Sequence, residues 1–174
     1  MRRVVAITGG RGDGKTTALQ RLADGLRAAG LLVGGVVQPV VHAGHERLGY
    51  DVLDLATGQR LPLARRGAPD RPDGCGFEFA PDAWAWAARR IGEARRECDV
   101  LVVDELGYLE AAGAGHLPAL VEAEPAEHAR LWLLGVRRET ALALEARLGA
   151  FAFVIEPAAD QAELLGRLVR LAGG

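Results

Sequence analysis

Gly9-Gly10-Arg11-Gly12-Asp13-Gly14-Lys15-Thr16 is the stretch on which the fold turns. It satisfies G-x-x-x-x-G-K-[ST] at every fixed position. In front of it Val4, Val5, Ala6 and Ile7 form an unbroken apolar run, the pattern of a strand buried on both faces. Behind it Ala18, Leu19, Leu22 and Leu26 recur at helical spacing until Gly30 closes the segment. Glycines let a backbone curl so that its N–H groups point inward, and the helix that follows adds the positive end of its dipole. A strand, such a loop and a helix in that order form a cradle for phosphate groups, and a chance glycine-rich turn does not usually land at this junction.

The cradle assigns roles. Gly9, Gly10, Arg11, Gly12, Asp13, Gly14, Lys15, Thr16 and Thr17 are expected to hold a nucleoside triphosphate such as ATP or GTP, with Gly14 nearest the phosphates. Lys15 would place its charge between the β and γ phosphates, and the Thr16 hydroxyl would ligate magnesium. Asp13 is the odd member. A carboxylate in a phosphate loop is repulsive unless it points away, so it is expected to face solvent or Arg11.

Outward from the loop, Leu31 to Val41 reads as a second strand, with Gly34 and Gly35 early in it and Pro39 near its end. Arg47 to Ala56 and Arg60 to Leu63, separated by Thr57-Gly58, read as a β-hairpin. Arg65 to Gly76 is rich in Arg, Pro, Gly and Asp and reads as an exposed loop. Phe77 to Ala80 reads as a short strand. Pro81-Asp82 then starts a helix in which Trp84, Ala87, Ala88, Ile91 and Ala94 share a face. Asp99 to Val103 reads as a strand ending in Asp104-Glu105. There follow a helix over roughly Gly113 to Glu122, a strand at Ala129 to Val136, a helix at Glu139 to Leu148, a strand at Phe151 to Ile155 and a helix at Gln161 to Leu171. This alternation needs crossover connections, which favour a parallel sheet covered on both faces, an α/β fold.

The end of the Asp99 strand carries the second half of the chemistry. An Asp at such a position holds magnesium through water, and Asp104 is the good candidate. Glu105 beside it can reach the γ-phosphate and orient or deprotonate a water, which favours hydrolysis over transfer to an acceptor. Gly107 allows a sharp turn, and Tyr108 is expected to pack. A cation from outside the loop would neutralise charge on the phosphoryl group. Arg137 or Arg138, at the carboxyl end of a strand where open α/β sheets place ligands, is the choice, with Arg47 a weaker one.

Composition bounds the alternatives. The 174 residues suit one domain, 1–174, with 49% apolar and 25% charged residues. A net charge of −2 and a pI near 6.1 argue against a general nucleic-acid binder. No stretch reads as a membrane span or signal peptide. Cys75 and Cys98 lack metal or redox spacing, Cys98 being expected buried and Cys75 in a loop, and a reduced cytoplasmic setting fits. His42 and His45 lack a third ligand. Trp84, Trp86 and Trp132 are expected to pack rather than to stack on a base.

Taken together, the phosphate loop, Val102-Val103-Asp104-Glu105-Leu106-Gly107, Leu48-Gly49-Tyr50 before the hairpin, and Phe77-Glu78 before the Trp84 helix resemble the THEP1-type nucleoside-triphosphatases. Order and spacing match over most of the chain. The resemblance implies a three-layer P-loop NTPase with a RecA-like core and an inserted β-hairpin, acting as a slow, broadly specific Mg-dependent hydrolase. It carries over Lys15, Thr16, Asp104 and Glu105. Where that family commonly has a lysine and a Met-Glu pair, this chain has Tyr108-Leu109-Glu110, and its C-terminal third matches only weakly. Nucleobase choice and the source of a catalytic arginine therefore stay open. Asp54-Leu55-Ala56-Thr57-Gly58 is similar to a phrase in relatives associated with molybdenum metabolism. Two other readings use the same loop: a small-molecule kinase with its acceptor over Arg65 to Gly76, and an adaptor whose hairpin at 47 to 63 is switched by nucleotide to bind a protein partner.

Overall fold

The computed structural model describes residues 2–67, 76–123 and 126–173. Cys75 and most of the loop read at Arg65 to Gly76 lie outside the described residues. The strands are β1 (Arg3–Gly9), β2 (Val33–Val37), β3 (Val40–Ala43), β4 (Glu46–Asp54), β5 (Arg60–Arg66), β6 (Phe77–Phe79), β7 (Val100–Leu106), β8 (Leu131–Arg137) and β9 (Phe153–Ile155). The helices are α1 (Lys15–Ala28), α2 (Pro81–Glu97), α3 (Tyr108–Ala111), α4 (Leu117–Val121), α5 (Ala141–Leu148) and α6 (Gln161–Gly173), with a 3-10 turn at Arg138–Thr140 before α5.

One mixed sheet runs in the order β6-β5-β4-β2-β7-β8-β1-β9, and β3 pairs with β4 off that path. The neighbours from β2 to β9 are all parallel. Those from β2 outward to β6 are antiparallel. The inserted hairpin is thus the middle of a larger antiparallel wing built from β3, β4, β5 and β6. Its turn is set by Asp54, whose carboxylate accepts from Ala56 N–H at 3.1 Å and Thr57 Oγ1 at 2.6 Å. In Asp54 to Gly58 this is turn chemistry.

Alternation along the parallel strands divides the core. Val5, Ile7, Val102, Leu131 and Leu133 face α1 and α6, meeting Leu19, Leu22, Leu26, Leu164 and Leu168. Val4, Ala6, Leu101, Val103, Trp132 and Leu134 face α2, α4 and α5, meeting Ala87, Ile91, Leu120 and Leu144. Helices on both faces follow because each strand of a parallel pair must cross over, and both faces are apolar. Trp132 and Cys98 are buried as expected, and the Arg2 guanidinium covers the Trp132 ring at 4.2 Å. No helix of the described residues is long and apolar enough to cross a membrane.

Several boundaries differ from the sequence reading. The segment 31–41 is two strands, because Pro39 has no N–H for the ladder and the N–H of Gln38 is donated to the Asp104 carboxylate instead. The helix expected over Gly113 to Glu122 is shortened to α4, and a short helix that the sequence reading did not expect, α3, precedes it, with Gly113 and Gly115 at positive φ between the two. That break is held by Glu110, whose carboxylate accepts from Gly107 N–H at 2.8 Å and His116 N–H at 2.9 Å. Burial pushes the Glu110 carboxyl above its usual value.

His116, just before α4, is buried, meets the Trp84 ring in a tilted contact at 4.6 Å and lies 2.8 Å from the Gln38 carboxamide through Nε2. Burial lowers its pKa from 6.5 to about 4, so the unfolded chain takes up this proton first as the solution is acidified. Stability contributed by the neutral ring is complete above the unfolded value and is lost as pH falls through about 4, a loss worth about 3 kcal/mol. Denaturant titrations across that window should show His116→Gln with a flatter acid limb than the unmodified chain. In the sheet centre, Leu133→Ala should cost about 2–5 kcal/mol with an unchanged denaturant slope, measured by urea unfolding.

Candidate functional site

The loop between β1 and α1 folds as its glycines require. Gly14 sits at φ 86°, a left-handed conformation, and its carbonyl accepts the first helical bond from Ala18 N–H at 2.9 Å. No side chain caps α1, so its first-turn N–H groups stay available to a ligand. Lys15 is 3% exposed and turns back over the loop, donating to Gly10 O at 2.8 Å. Thr17 and Arg11 are exposed. Asp13 is exposed, but its carboxylate does not reach for Arg11: Oδ2 accepts from Gly10 N–H at 2.6 Å, so the acid closes the loop on itself.

Opposite the loop, β7 does not end at Asp104-Glu105. It continues to Leu106 through an irregularity in its pairing with β8, and Glu105 takes φ 57° there. A non-glycine residue in that region is strained, and such strain concentrates where a side chain must be aimed. The bulge aims two carboxylates differently. Asp104 is fully buried, and its Oδ2 accepts from Thr16 Oγ1 at 2.5 Å and from Gln38 N–H at 3.2 Å. Oδ1 accepts from Glu105 N–H at 2.8 Å. Burial, and then the Glu105 charge, raise the Asp104 carboxyl to about 6. Glu105 instead projects between two cations, with Oε1 3.7 Å from Lys15 Nζ and Oε2 3.3 Å from Arg137 Nη2.

Asp104 stands on β7 and Thr16 in the first turn of α1, which follows β1, and β8 runs between those two strands. Gly135 on β8 makes their contact possible. A Cβ there would lie 2.4 Å from Asp104 Oδ1 and 2.9 Å from Leu19 Cδ1. The sequence reading passed over Gly135, although a lone glycine in Leu131-Trp132-Leu133-Leu134-Gly135-Val136 is a recognisable sign of close approach. It also passed over Gln38 and Glu110, for which a single sequence holds no comparable sign.

The structure brings Lys15, Thr16, Asp104, Glu105 and Arg137 together. Arg138 is exposed and paired with Glu156 at 3.1 Å. Arg47 is engaged in the wing, donating to Tyr50 Oη at 3.0 Å. His42 and His45 are exposed, and no group of three His, Cys, Asp or Glu side chains suited to a metal occurs among the described residues. Thr16 and Asp104 present a hydroxyl and a carboxylate side by side, hard oxygen donors of the kind that small divalent cations take together with phosphate oxygens. Tyr108, expected to pack, is 63% exposed beside Arg137, because α3 starts at the surface immediately after Gly107. Trp84 and Trp86 both pack on the core, and Trp84 also lines a cleft of about 210 Å³ that opens next to Glu105 and Arg137.

Known proteins share this frame. A family model described as NTPase matches residues 4–123. The nucleoside-triphosphatase THEP1 of Methanopyrus kandleri is 32% identical over 143 residues, 82% of this chain and 79% of that protein. Its counterpart in Methanothermobacter thermautotrophicus is 31% identical over 160 residues, covering 88% and 87%. Among solved structures, a human cancer-related nucleoside triphosphatase superposes with a TM-score of 0.65 at 22% identity, over 98% of this chain and 96% of its own. THEP1 from the hyperthermophile Aquifex aeolicus gives 0.58 at 17% identity, over 97% and 99%. At such identities the two structures speak for the fold, a P-loop NTPase fold with a nine-stranded sheet. With the matches in sequence they establish that the chain belongs to the THEP1 family of nucleoside-triphosphatases.

Proposed function

We propose that this chain is a magnesium-dependent nucleoside-triphosphatase that hydrolyses ATP, GTP and other nucleoside triphosphates to the diphosphate and phosphate. The carrying observation is Glu105, held in a left-handed bulge with its carboxylate reaching both Lys15 and Arg137. The loop amides from Gly9 to Thr16 and the Lys15 ammonium bind the β and γ phosphates, with Thr17 in the same helical turn. Glu105 orients a water and accepts its proton as the new P–O bond forms, while the bond to the bridging β-phosphate oxygen breaks and the diphosphate leaves. Arg137 neutralises charge on the transferring phosphoryl group, and Arg138, turned to Glu156, does not.

Thr16 and Asp104 would hold the magnesium ion, which when bound supplies positive charge to the phosphate oxygens. They fit it, because Asp104 is a fully buried carboxylate whose charge burial disfavours and a cation would favour. The 174 residues act as one domain, and the buried, unpaired Cys98 suits a reducing, cytoplasmic setting.

Phosphate release from a panel of triphosphates with magnesium tests the reading. Glu105→Gln should lower kcat by about a hundredfold or more with binding retained, and Lys15→Ala should abolish binding seen by calorimetry. Full activity in both variants would end the proposal. Gly135→Ala supplies an independent check on the metal pair. Its methyl group displaces Asp104, so phosphate release should need more magnesium for half-maximal rate, at a stability cost of about 1–3 kcal/mol in the thermal melt.

A further inference from the structure

The chain has three tryptophans, two tyrosines and four phenylalanines, and five of these line one cleft. Tyr50 comes from β4, Phe77 and Phe79 from β6, Trp84 from α2 and Tyr108 from α3. Four separate elements thus converge with their rings in a protein whose aromatic content is only 5%. The rings close on one another only in pairs. Tyr50 and Phe77 meet edge to face at 5.6 Å, and Phe79 and Trp84 are tilted at 6.0 Å. Phe79 stays 42% exposed and Tyr108 63%. A core cluster would bury these faces, whereas rings left open toward a shared space form a stacking surface.

The polar groups on the same cleft define what the surface would take. Gln38 is nearly buried and lines the wall; its Nε2 lies 2.8 Å from His116 Nε2, which leaves the carboxamide oxygen to accept from the edge of a nitrogen heterocycle. At the other end stand Glu105 and Arg137. A volume of about 210 Å³ lies below the usual range of small-molecule sites, so it admits one compact ring system and no second nucleotide.

We infer that this cleft is a second small-molecule site, for a flat nitrogen heterocycle stacked between Tyr108 and the wall formed by Phe79 and Trp84, and that its occupancy controls the access of water to Glu105. The position of the cleft relative to the triphosphate rests on the function proposed above. Glu105 and Arg137 flank the γ-phosphate end, so a ring held there lies on the side away from the triphosphate's own sugar and base. It displaces the solvent from which Glu105 draws its water. Phosphate release then slows without any loss of triphosphate affinity.

Free adenosine, guanosine, cytidine and uridine are suitable probes, since they carry the ring but no phosphate to compete for the loop. Calorimetry is done on the full chain saturated with magnesium and a non-hydrolysable triphosphate, alongside steady-state phosphate release with ribose as the non-aromatic control. At least one nucleoside should bind and lower kcat severalfold at unchanged KM for the triphosphate, and ribose should do neither. Phe79→Ala should weaken that binding at least tenfold while phosphate release without nucleoside stays normal, which also reports that the variant is folded. Absence of heat with all four nucleosides overturns the inference. So does inhibition that only raises KM, which would put the nucleoside at the base end of the triphosphate site. Absence of phosphate release in the unmodified chain would instead overturn the proposed hydrolase, and the calorimetry would still judge the cleft.

Discussion

A buried carboxylate that reaches past an intervening strand holds this molecule's two halves in register. Asp104 belongs to β7 and Thr16 to the first turn after β1, yet they meet at 2.5 Å because β8, between them, offers only a glycine at the crossing point. Charge without water is costly, and burial lifts the Asp104 carboxyl to about 6. Three donors offset that cost: the Thr16 hydroxyl and the amides of Gln38 and Glu105. Each donor ties a different piece of chain to one point. Gln38 marks where β2 stops and the wing begins, Thr16 where the phosphate loop becomes a helix, and Glu105 where β7 kinks.

The kink at Glu105 is the complementary constraint. A left-handed glutamate persists only where its surroundings over-determine it. Here Asp104 takes its N–H, Lys15 and Arg137 flank its carboxylate, and Glu110 fixes the chain at Gly107 just beyond. The strain therefore aims the side chain, turning one carboxylate into the core and its neighbour toward the cleft. Two adjacent acids so acquire different environments, which is what separate tasks for them require.

The wing explains why a plain α/β core is not the whole molecule. β4 joins the parallel sheet at β2, and β6 at its outer edge brings Phe77 and Phe79 back over the carboxyl ends of the strands. With Tyr108 on α3 they enclose space beside the phosphate loop that an uninterrupted crossover from β2 to β7 would leave open. His116 and Gln38 brace this wall from beneath, through Trp84.

Local chemistry was legible from residue order alone. Val4 to Thr16 contains everything that a strand, an amide-lined loop and a helix start need, because the contacts that form them lie within a few residues. The same holds for α2, whose apolar face repeats at helical spacing, and for Asp104-Glu105 as an acidic pair closing an apolar run. Other features depend on partners far along the chain, and those only the tertiary structure decided. Gln38 ends β2 because Asp104 takes its N–H; the helix expected at 113–122 starts only at Leu117 because Glu110 binds both Gly107 and His116 and holds a turn there. Arg137 faces Glu105 as the last residue of β8, beside β7, whereas Arg138 opens the 3-10 turn that leaves the sheet and faces Glu156. Periodicity states that a side chain alternates, and packing alone states which neighbour it meets.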